Sequence, residues 1–256
     1  MRIYRIKSNK SLFAFGDLLA DVPVLDTTLS LYQKQACTRA NADLELIDLP
    51  KPMEKNEIID GFFEFSDSLL FTSEFLAEAV CIAKQSSQTK NIQFGIAPQE
   101  SLRRFSLPIA NEQVRWVFPF YYRVPNAETT EVVELKGKEY PINNPIPKQI
   151  VPEGSYNTNQ NSVFAAEIIS PFHLLQANMG LNLNRSNKLL RFLPRFLFDK
   201  IANPYSRLAM LGLKLTNRKG RNCKIHPTAV VEGSILGDNV TIGAHATVRL
   251  SVIGDN

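Results

Sequence analysis

The sequence predicts a mixed α/β domain with a mostly parallel sheet, followed by a short-period solenoid at the C-terminal end. Strand patterns alternate with helical patterns along most of the chain, an order typical of a parallel sheet covered by helices. A helical pattern that begins at Pro171, with Ser170 as its N-cap, closes this part. From Ile225 onwards an aliphatic residue recurs every five or six positions, a spacing that fits neither a helix nor a simple strand.

Three segments of the first part have the composition of strands. The segment "MRIYRIK" at the N-terminus is the first, and "NIQFGIAP" (residues 91–98) and "QVRWVFPFYYRV" (residues 113–124) are later ones. Each is rich in β-branched or aromatic residues and is bounded by residues that favour loops. We therefore expect these segments to lie in one sheet.

The C-terminal repeat has a regular spacing. Its aliphatic residues follow one another in steps of 6, 5, 6, 6 and 5 residues: Ile225, Val231, Leu236, Ile242, Val248 and Ile253. In a short-period solenoid each of them points inward and stacks on the equivalent residue one coil away, while small residues form the corners. The alternative is an antiparallel sheet rich in Val and Ile. Because stacked coils bury their core only against each other, we expect the protein to continue past Asn256 or a partner chain to cover this end.

Length and composition are those of a globular protein. The 256 residues are enough for one large domain or two ordinary ones, and 44% are hydrophobic and 21% charged. No apolar run reaches the roughly 20 residues of a membrane span, and the basic N-terminus lacks the apolar region of a signal peptide. The three cysteines are few and far apart, which argues against disulfides and zinc. We expect a cytoplasmic protein.

The repeat and the helix before it resemble parts of one family. The repeat is similar to the hexapeptide repeat of left-handed parallel β-helices. The segment "SPFHLLQANMGLN" (Ser170–Asn182) resembles the "TPWDLLEAN" segment that ends the catalytic domain of sugar-nucleotide pyrophosphorylases. The resemblance implies a Rossmann-like, nucleotidyltransferase-type domain at residues 1–183 and the start of a left-handed parallel β-helix at residues 223–256. Residues 184–222 would link them.

Two further segments extend the resemblance and supply candidate ligand-binding residues. The stretch "DVPVLDTTLSLYQ" (Asp21–Gln33) is similar to the strand and helix that follow the phosphate-binding loop of those enzymes. The stretch "GFFEFSDSLLFTSEFLAEAV" (Gly61–Val80) is similar to the strand that ends in their magnesium-binding Asp. The resemblance thus implies that Asp67 binds Mg²⁺. His173, which replaces an acidic residue of the family, either contacts a ligand in its place or packs against the fold.

The glycine-rich loop that wraps the triphosphate in this family is missing. The family encodes it as "GGxGTRL", whereas "SNKSLFAFGDLLAD" (Ser8–Asp21) has a single glycine, Gly16, and no Gly-x-Gly. Side chains at these positions block the close approach of backbone N–H groups to phosphates. Lys10 is the remaining candidate for a phosphate contact; otherwise it is a solvated surface lysine. We therefore expect a divergent or inactive transferase.

The solenoid offers a second place for chemistry. Many hexapeptide proteins transfer acyl groups from a thioester to a sugar, with a histidine as general base. His245, in "IGAHATV", is the candidate for that role, whereas His226, in "IHPTAVV", is interpreted as structural.

A basic block precedes the solenoid. Residues 185–221 contain ten Lys or Arg and one acid, a net charge of +9 against +4 for the whole chain. Connector helices packed on the solenoid would explain the block, and so would peripheral contact with an anionic membrane. The sequence contains no nucleic-acid-binding motif.

Three hypotheses follow for function. The first is a pyrophosphorylase-like protein that binds a sugar phosphate or nucleotide, with Mg²⁺ as its cofactor. The second is a sugar acyltransferase with its site in the β-helix. The third is a non-catalytic partner of an active paralogue. We expect the β-helix to mediate assembly with a second copy or with that paralogue.

Overall fold

The protein is described by a computed structural model. It describes residues 1–8, 10–12, 16–41, 43–54, 58–86, 89–96, 116–145, 155–190, 214, 217–249 and 251–256. Two compact units share these residues: Met1–Glu139 with Asn161–Ala177, and Tyr140–Gln160 with Asn178–Asn256. The domain boundaries expected from the sequence stay a prediction. Much of the basic block (residues 191–213) lies outside the described residues.

The elements are named in chain order. The helices are α1 (Leu29–Ala40), α2 (Ser73–Gln85) and α3 (Pro171–Leu190). The strands as far as α3 are β1 (Arg2–Ile6), β2 (Pro23–Val24), β3 (Thr27–Thr28), β4 (Glu45–Leu49), β5 (Phe62–Ser66), β6 (Leu69–Phe71), β7 (Asn91–Ile96), β8 (Trp116–Arg123), β9 (Thr130–Leu135), β10 (Glu139–Pro145), β11 (Ser155–Asn161) and β12 (Ala165–Glu167). The later strands are β13 (Arg218–Lys219), β14 (Lys224–Ile225), β15 (Val230–Glu232), β16 (Ile235–Leu236), β17 (Thr241–Ile242), β18 (Thr247–Arg249) and β19 (Val252–Ile253). Of the helices in the described ranges, none has the length and apolar character needed to span a membrane.

The first unit is built on a six-stranded mixed sheet in the order β4-β1-β5-β8-β7-β9. Strand β1 pairs in parallel with β4 and β5, and β7 pairs in parallel with β9. Strand β8 is antiparallel to both of its neighbours, so it alone runs against the other five strands. The predicted mixed α/β fold is confirmed, and its assignment to the nucleotidyltransferase type stays a prediction.

Aromatic side chains form the core of this unit. Strand β8 alternates between buried and more exposed residues, and its inward-facing Phe120 is fully buried. The ring centroid of Phe120 lies 5.2–5.9 Å from those of Phe63, Phe65, Phe71, Phe75 and Phe94. Burying one such side chain stabilises the fold by about 1.5–3 kcal/mol. This cluster therefore holds α2 and β6 against the middle of the sheet.

A buried arginine fixes α1 against β1 and β4. The Arg5 guanidinium donates to both carboxylate oxygens of Asp48 on β4, at 2.7 and 3.0 Å. The Nη1 group of Arg5 donates to the carbonyl and hydroxyl of Ser30 and to Gln33 Oε1, all on α1. Lys7 adds a second cation to Asp48 at 2.9 Å. Arg5 is only 6% exposed, so these partners replace the water that its charge would otherwise bind.

The second unit contains the predicted repeat as stacked parallel strands. Strand β16 pairs in parallel with β13 and β19, β14 with β17, and β15 with β18. Every pairing joins residues 17 positions apart. The six aliphatic residues predicted to stack do so as three pairs: Ile225 with Ile242, Val231 with Val248, and Leu236 with Ile253. The repeat is therefore confirmed over the antiparallel alternative, and its left hand stays a prediction.

Polar side chains hold one corner of the repeat. Asp238 Oδ1 accepts the backbone N–H of Arg221 at 2.7 Å, and Asp255 Oδ1 accepts that of Asp238 at 2.6 Å. The corner residues Asn222 and Asn239 have φ values of 56° and 61°, which Asn tolerates better than most residues. The "GDN" corner at residues 237–239 thus combines a left-handed residue, Asn239, with a side chain, that of Asp238, which accepts from the backbone 17 residues earlier.

We expect Asp48→Asn to lower the free energy of unfolding by about 1–2 kcal/mol at neutral pH. The variant leaves the buried Arg5 guanidinium without its anion, and the 36% exposure of the Asp48 side chain keeps the loss below that of a fully buried pair. Denaturation of the whole chain measures the difference, with Asp43→Asn, an exposed change just before β4, as the control.

The effect of Asp48→Asn should shrink in acid. The hydrogen bonds from Arg5 hold the pKa of the Asp48 carboxyl below its usual range, although burial acts in the opposite direction. A carboxyl with a lowered pKa stabilises the folded state above its unfolded pKa, about 3.9, and this stabilisation is lost as the pH falls through the folded pKa. If the wild-type protein and the Asp48→Asn variant lost stability equally from about pH 5 to pH 2, the stabilising role assigned to the Asp48 carboxylate would be wrong.

Candidate functional site

The candidate site lies where strands β1 and β5 end side by side in the sheet. From β1 the chain passes through α1 to β4 on one side, and it then returns to β5 on the other side of β1. The carboxyl ends of β1 and β5 therefore lie where the connections turn to opposite sides of β1. In open α/β sheets, ligands bind at such topological switch points.

Asp67 and Lys10, two of the residues predicted from the sequence, meet here through Ser8. The carboxylate of Asp67 accepts the backbone N–H of Ser8 at 2.7 Å and its hydroxyl at 2.9 Å. The same hydroxyl accepts the backbone N–H of Lys10 at 3.3 Å. Asp67 is 6% exposed, and its own N–H donates to Ile6 at the end of β1. Asp67 thus anchors the segment after β1 to the turn after β5.

The cluster also contains Ser66, Ser68 and Glu167, which were not predicted from the sequence as site residues. The hydroxyls of Ser66 and Ser68 lie 2.8 Å apart, and Ser68 Oγ donates to Glu167 Oε1 at 3.3 Å. Burial raises the pKa of Glu167, while the hydrogen bond from Ser68 and the positive charge of Lys10 lower it. The signal in the sequence was a lone acidic residue inside the apolar run "VFAAEII".

Gln33 holds the turn that carries Asp67 and Ser68. Its side chain is 1% exposed, and Nε2 donates to the carbonyls of Asp67 and Leu69 at 2.9 and 2.8 Å. Its Oε1 accepts from Arg5 at 2.9 Å, so the orientation of the amide is fixed from both ends. Gln33 is thus a positioning residue for the turn after β5.

His173 hydrogen-bonds at the start of α3. Its Nδ1 lies 2.7 Å from Ser170 Oγ, and its backbone N–H donates to the same oxygen at 3.4 Å. Ser170 is therefore the predicted N-cap of α3. Burial lowers the pKa of His173, which favours the neutral imidazole. A contact between His173 and a ligand stays a prediction.

The carboxylate of Asp67, which the resemblance assigns to Mg²⁺, already accepts hydrogen bonds from the protein. Both oxygens of its carboxylate accept hydrogen bonds from Ser8, and Mg²⁺ prefers six oxygen ligands in regular geometry. Within the described ranges, no group of three or more His, Cys, Asp or Glu residues is placed to hold a metal. Because proteins usually hold Mg²⁺ through one or two carboxylates together with substrate phosphates, the contact of Asp67 with Mg²⁺ stays a prediction.

The second candidate site is a corner of the repeat that contains two histidines. The backbone N–H of His245 donates to Thr228 Oγ1 at 3.0 Å, and the same oxygen lies 2.8 Å from His226 Nδ1. The backbone N–H of Thr228 donates to His226 Nδ1 at 3.2 Å, and the structural role of His226 stays a prediction. His245 has a φ of 58° and an exposed side chain, so its imidazole is open to solvent.

Comparison with known proteins identifies the repeat. A family model described as bacterial transferase hexapeptide (six repeats) matches residues 220–249. This segment contains β14 to β18 and the corner with His245. No curated protein matches the chain significantly.

We expect Gln33→Leu to lower the free energy of unfolding by about 2–4 kcal/mol. The change leaves the carbonyls of Asp67 and Leu69 without their donor inside the protein, and buried groups that lose a partner are costly. Gln35→Leu on the same helix is the matched control and should change the stability by less than about 1 kcal/mol. Equal losses in the two variants, measured by denaturation, would show that the amide of Gln33 has no special role.

Proposed function

We propose that the chain is a hexapeptide-repeat protein of the transferase type whose first unit binds a phosphorylated sugar or a sugar nucleotide. The observation that carries this proposal is the cluster of Ser8, Lys10 and Asp67 at the carboxyl ends of β1 and β5, with Ser68 and Glu167 beside it. Ligands of α/β proteins bind at this edge of the sheet.

The chemistry of the cluster favours a ligand that has both phosphate and hydroxyl groups. The Lys10 ammonium supplies the positive charge that a phosphate requires. The hydroxyls of Ser66 and Ser68 and the carboxylate of Glu167 donate to or accept from sugar hydroxyls. A ligand with only one of these two kinds of group would use only part of the cluster.

Binding, rather than nucleotidyl transfer, is the activity that the residues support. Phosphoryl-transfer sites concentrate backbone N–H groups, cations and metal ions around the reacting phosphates. Here the segment after β1 has one glycine, and the Asp67 carboxylate is engaged by Ser8. The first unit is therefore proposed as a divergent, non-catalytic relative of the nucleotidyltransferase type.

The repeat is proposed to be a left-handed parallel β-helix through which the protein assembles. The 17-residue pairing on three sheets and the hexapeptide match support the β-helix. Coils of this kind gain stability from stacked neighbours, so a second copy or an active paralogue is the proposed partner. The proposed compartment is the cytoplasm, where sugar nucleotides are made.

We expect Lys10→Ala to weaken the binding of a sugar nucleotide by about 10–100-fold, because a charge-assisted hydrogen bond to phosphate contributes about 1.5–3 kcal/mol. Calorimetric titration of the whole chain with UDP-glucose, UDP-N-acetylglucosamine and the matching sugar 1-phosphates measures this effect. Lys34→Ala, an exposed change on α1, is the control. If no ligand binds the wild-type protein, or if Lys10→Ala binds as tightly as Lys34→Ala, the proposed site is wrong.

A second candidate function is acyl transfer at the repeat, which the family match to hexapeptide transferases and the exposed His245 favour. In this reaction His245 accepts the proton of a sugar hydroxyl or amine as that group attacks the thioester carbonyl. The carbon–sulfur bond breaks, a carbon–oxygen or carbon–nitrogen bond forms, and the proton passes to the departing thiolate.

If acyl transfer occurs, His245→Ala should lower its rate by about 10²–10⁴-fold, which is the usual contribution of a general base. Release of free thiol from acetyl-CoA in the presence of amino sugars measures the rate. His226→Ala is the matched control, because it changes the other histidine at the same corner. Lack of turnover by the wild-type protein, or equal loss in both variants, would exclude His245 as the base.

A further inference from the structure

Glu167 occupies a fixed position beside Ser68 at the candidate site. Strand β12 pairs with β6, which places Glu167 opposite Leu69, and the N–H of Ile168 donates to the carbonyl of Ser68 at 2.8 Å. Ser68 itself is 6% exposed. Main-chain pairing therefore holds the carboxylate beside Ser68, on the turn after β5 that also carries Asp67.

The carboxylate of Glu167 has acceptor capacity that its hydrogen bond in the described structure does not use. That bond, from Ser68 Oγ, is long at 3.3 Å and engages one of the two oxygens. An ionised carboxylate offers about four acceptor positions, and partial burial removes part of its hydration. A ligand hydroxyl could donate to the carboxylate and offset that loss.

We propose that Glu167 and Ser68 bind a hydroxyl group of the ligand next to the phosphate held by Lys10, and so select phosphorylated sugars over inorganic phosphates. This inference rests on the proposed function of the first unit. A sugar hydroxyl donates to the carboxylate, whereas a bare phosphate or pyrophosphate offers it a second negative charge and repels it. Glu167 also offsets part of the charge of Lys10, which further weakens the binding of a simple anion.

The test is a change of selectivity in Glu167→Gln. The variant keeps the size of the side chain and removes its negative charge. We expect it to bind pyrophosphate about 3–10-fold more tightly than the wild-type protein and to bind glucose 1-phosphate or N-acetylglucosamine 1-phosphate about 3–10-fold more weakly. Titration calorimetry of the whole chain with pyrophosphate and with the sugar 1-phosphate measures both affinities.

Two further variants make the result specific. Glu45→Gln removes an exposed carboxylate at the opposite, amino-terminal edge of the same sheet and should change neither affinity. Ser68→Ala keeps the charge of Glu167 and removes the hydroxyl beside it. It should weaken sugar phosphate binding without strengthening that of pyrophosphate. Thermal unfolding of each variant shows that it is folded.

The outcomes separate this inference from the proposed function. Opposite changes for the two ligand classes in Glu167→Gln support the inference. If Lys10→Ala weakens both classes but Glu167→Gln shifts neither, or shifts both in the same direction, the phosphate site stands and the role of Glu167 is wrong. If the wild-type protein binds neither class, the proposed function and the role of Glu167 are both overturned.

Discussion

The contact between Arg5 and Gln33 is the constraint on which the first unit depends most. A buried guanidinium must find partners for its charge and its five N–H groups, because water cannot reach it. Arg5 obtains them from Asp48 on β4 and from α1, so the charge ties three elements together. Gln33 then extends the network to the turn that carries Asp67. The geometry of the candidate site is thus set by a polar network inside the fold.

The parts of the fold that local patterns encode were predictable from the sequence. The spacing of Ile225, Val231 and Leu236 predicted that they stack on equivalent residues further along the repeat, and the strand pairing places those residues 17 positions later. The segment assigned as a strand at residues 113–124 contains β8, but its antiparallel direction between β5 and β7 was not predicted. The side-chain pattern of a strand records which face is buried, and it contains no information about the direction of its neighbours.

The candidate site was only partly predictable, for a related reason. Asp67 and Lys10 stand in short motifs near strand ends, where ligand-binding residues are expected. Glu167 lies beside Ser68 only because β12 pairs with β6, and these two residues are 99 positions apart in the sequence. Gln33 was part of a matched motif, but its double hydrogen bond to a distant turn is a property of the folded chain. The roles of all these residues toward a ligand remain predictions.

At one corner of the repeat, hydrogen bonds link Arg221 to Asp238 and Asp238 to Asp255. This regular series allows the repeat to vary in length by whole units. Its side-chain hydrogen bonds and the strand pairings share the same 17-residue interval. Duplication of one complete coil would preserve every inward position and every corner contact. Insertion of a single residue would shift the aliphatic positions out of phase with those of the coil before. Evolution could therefore lengthen this part of the molecule in whole coils, leaving the chemistry of its corners intact.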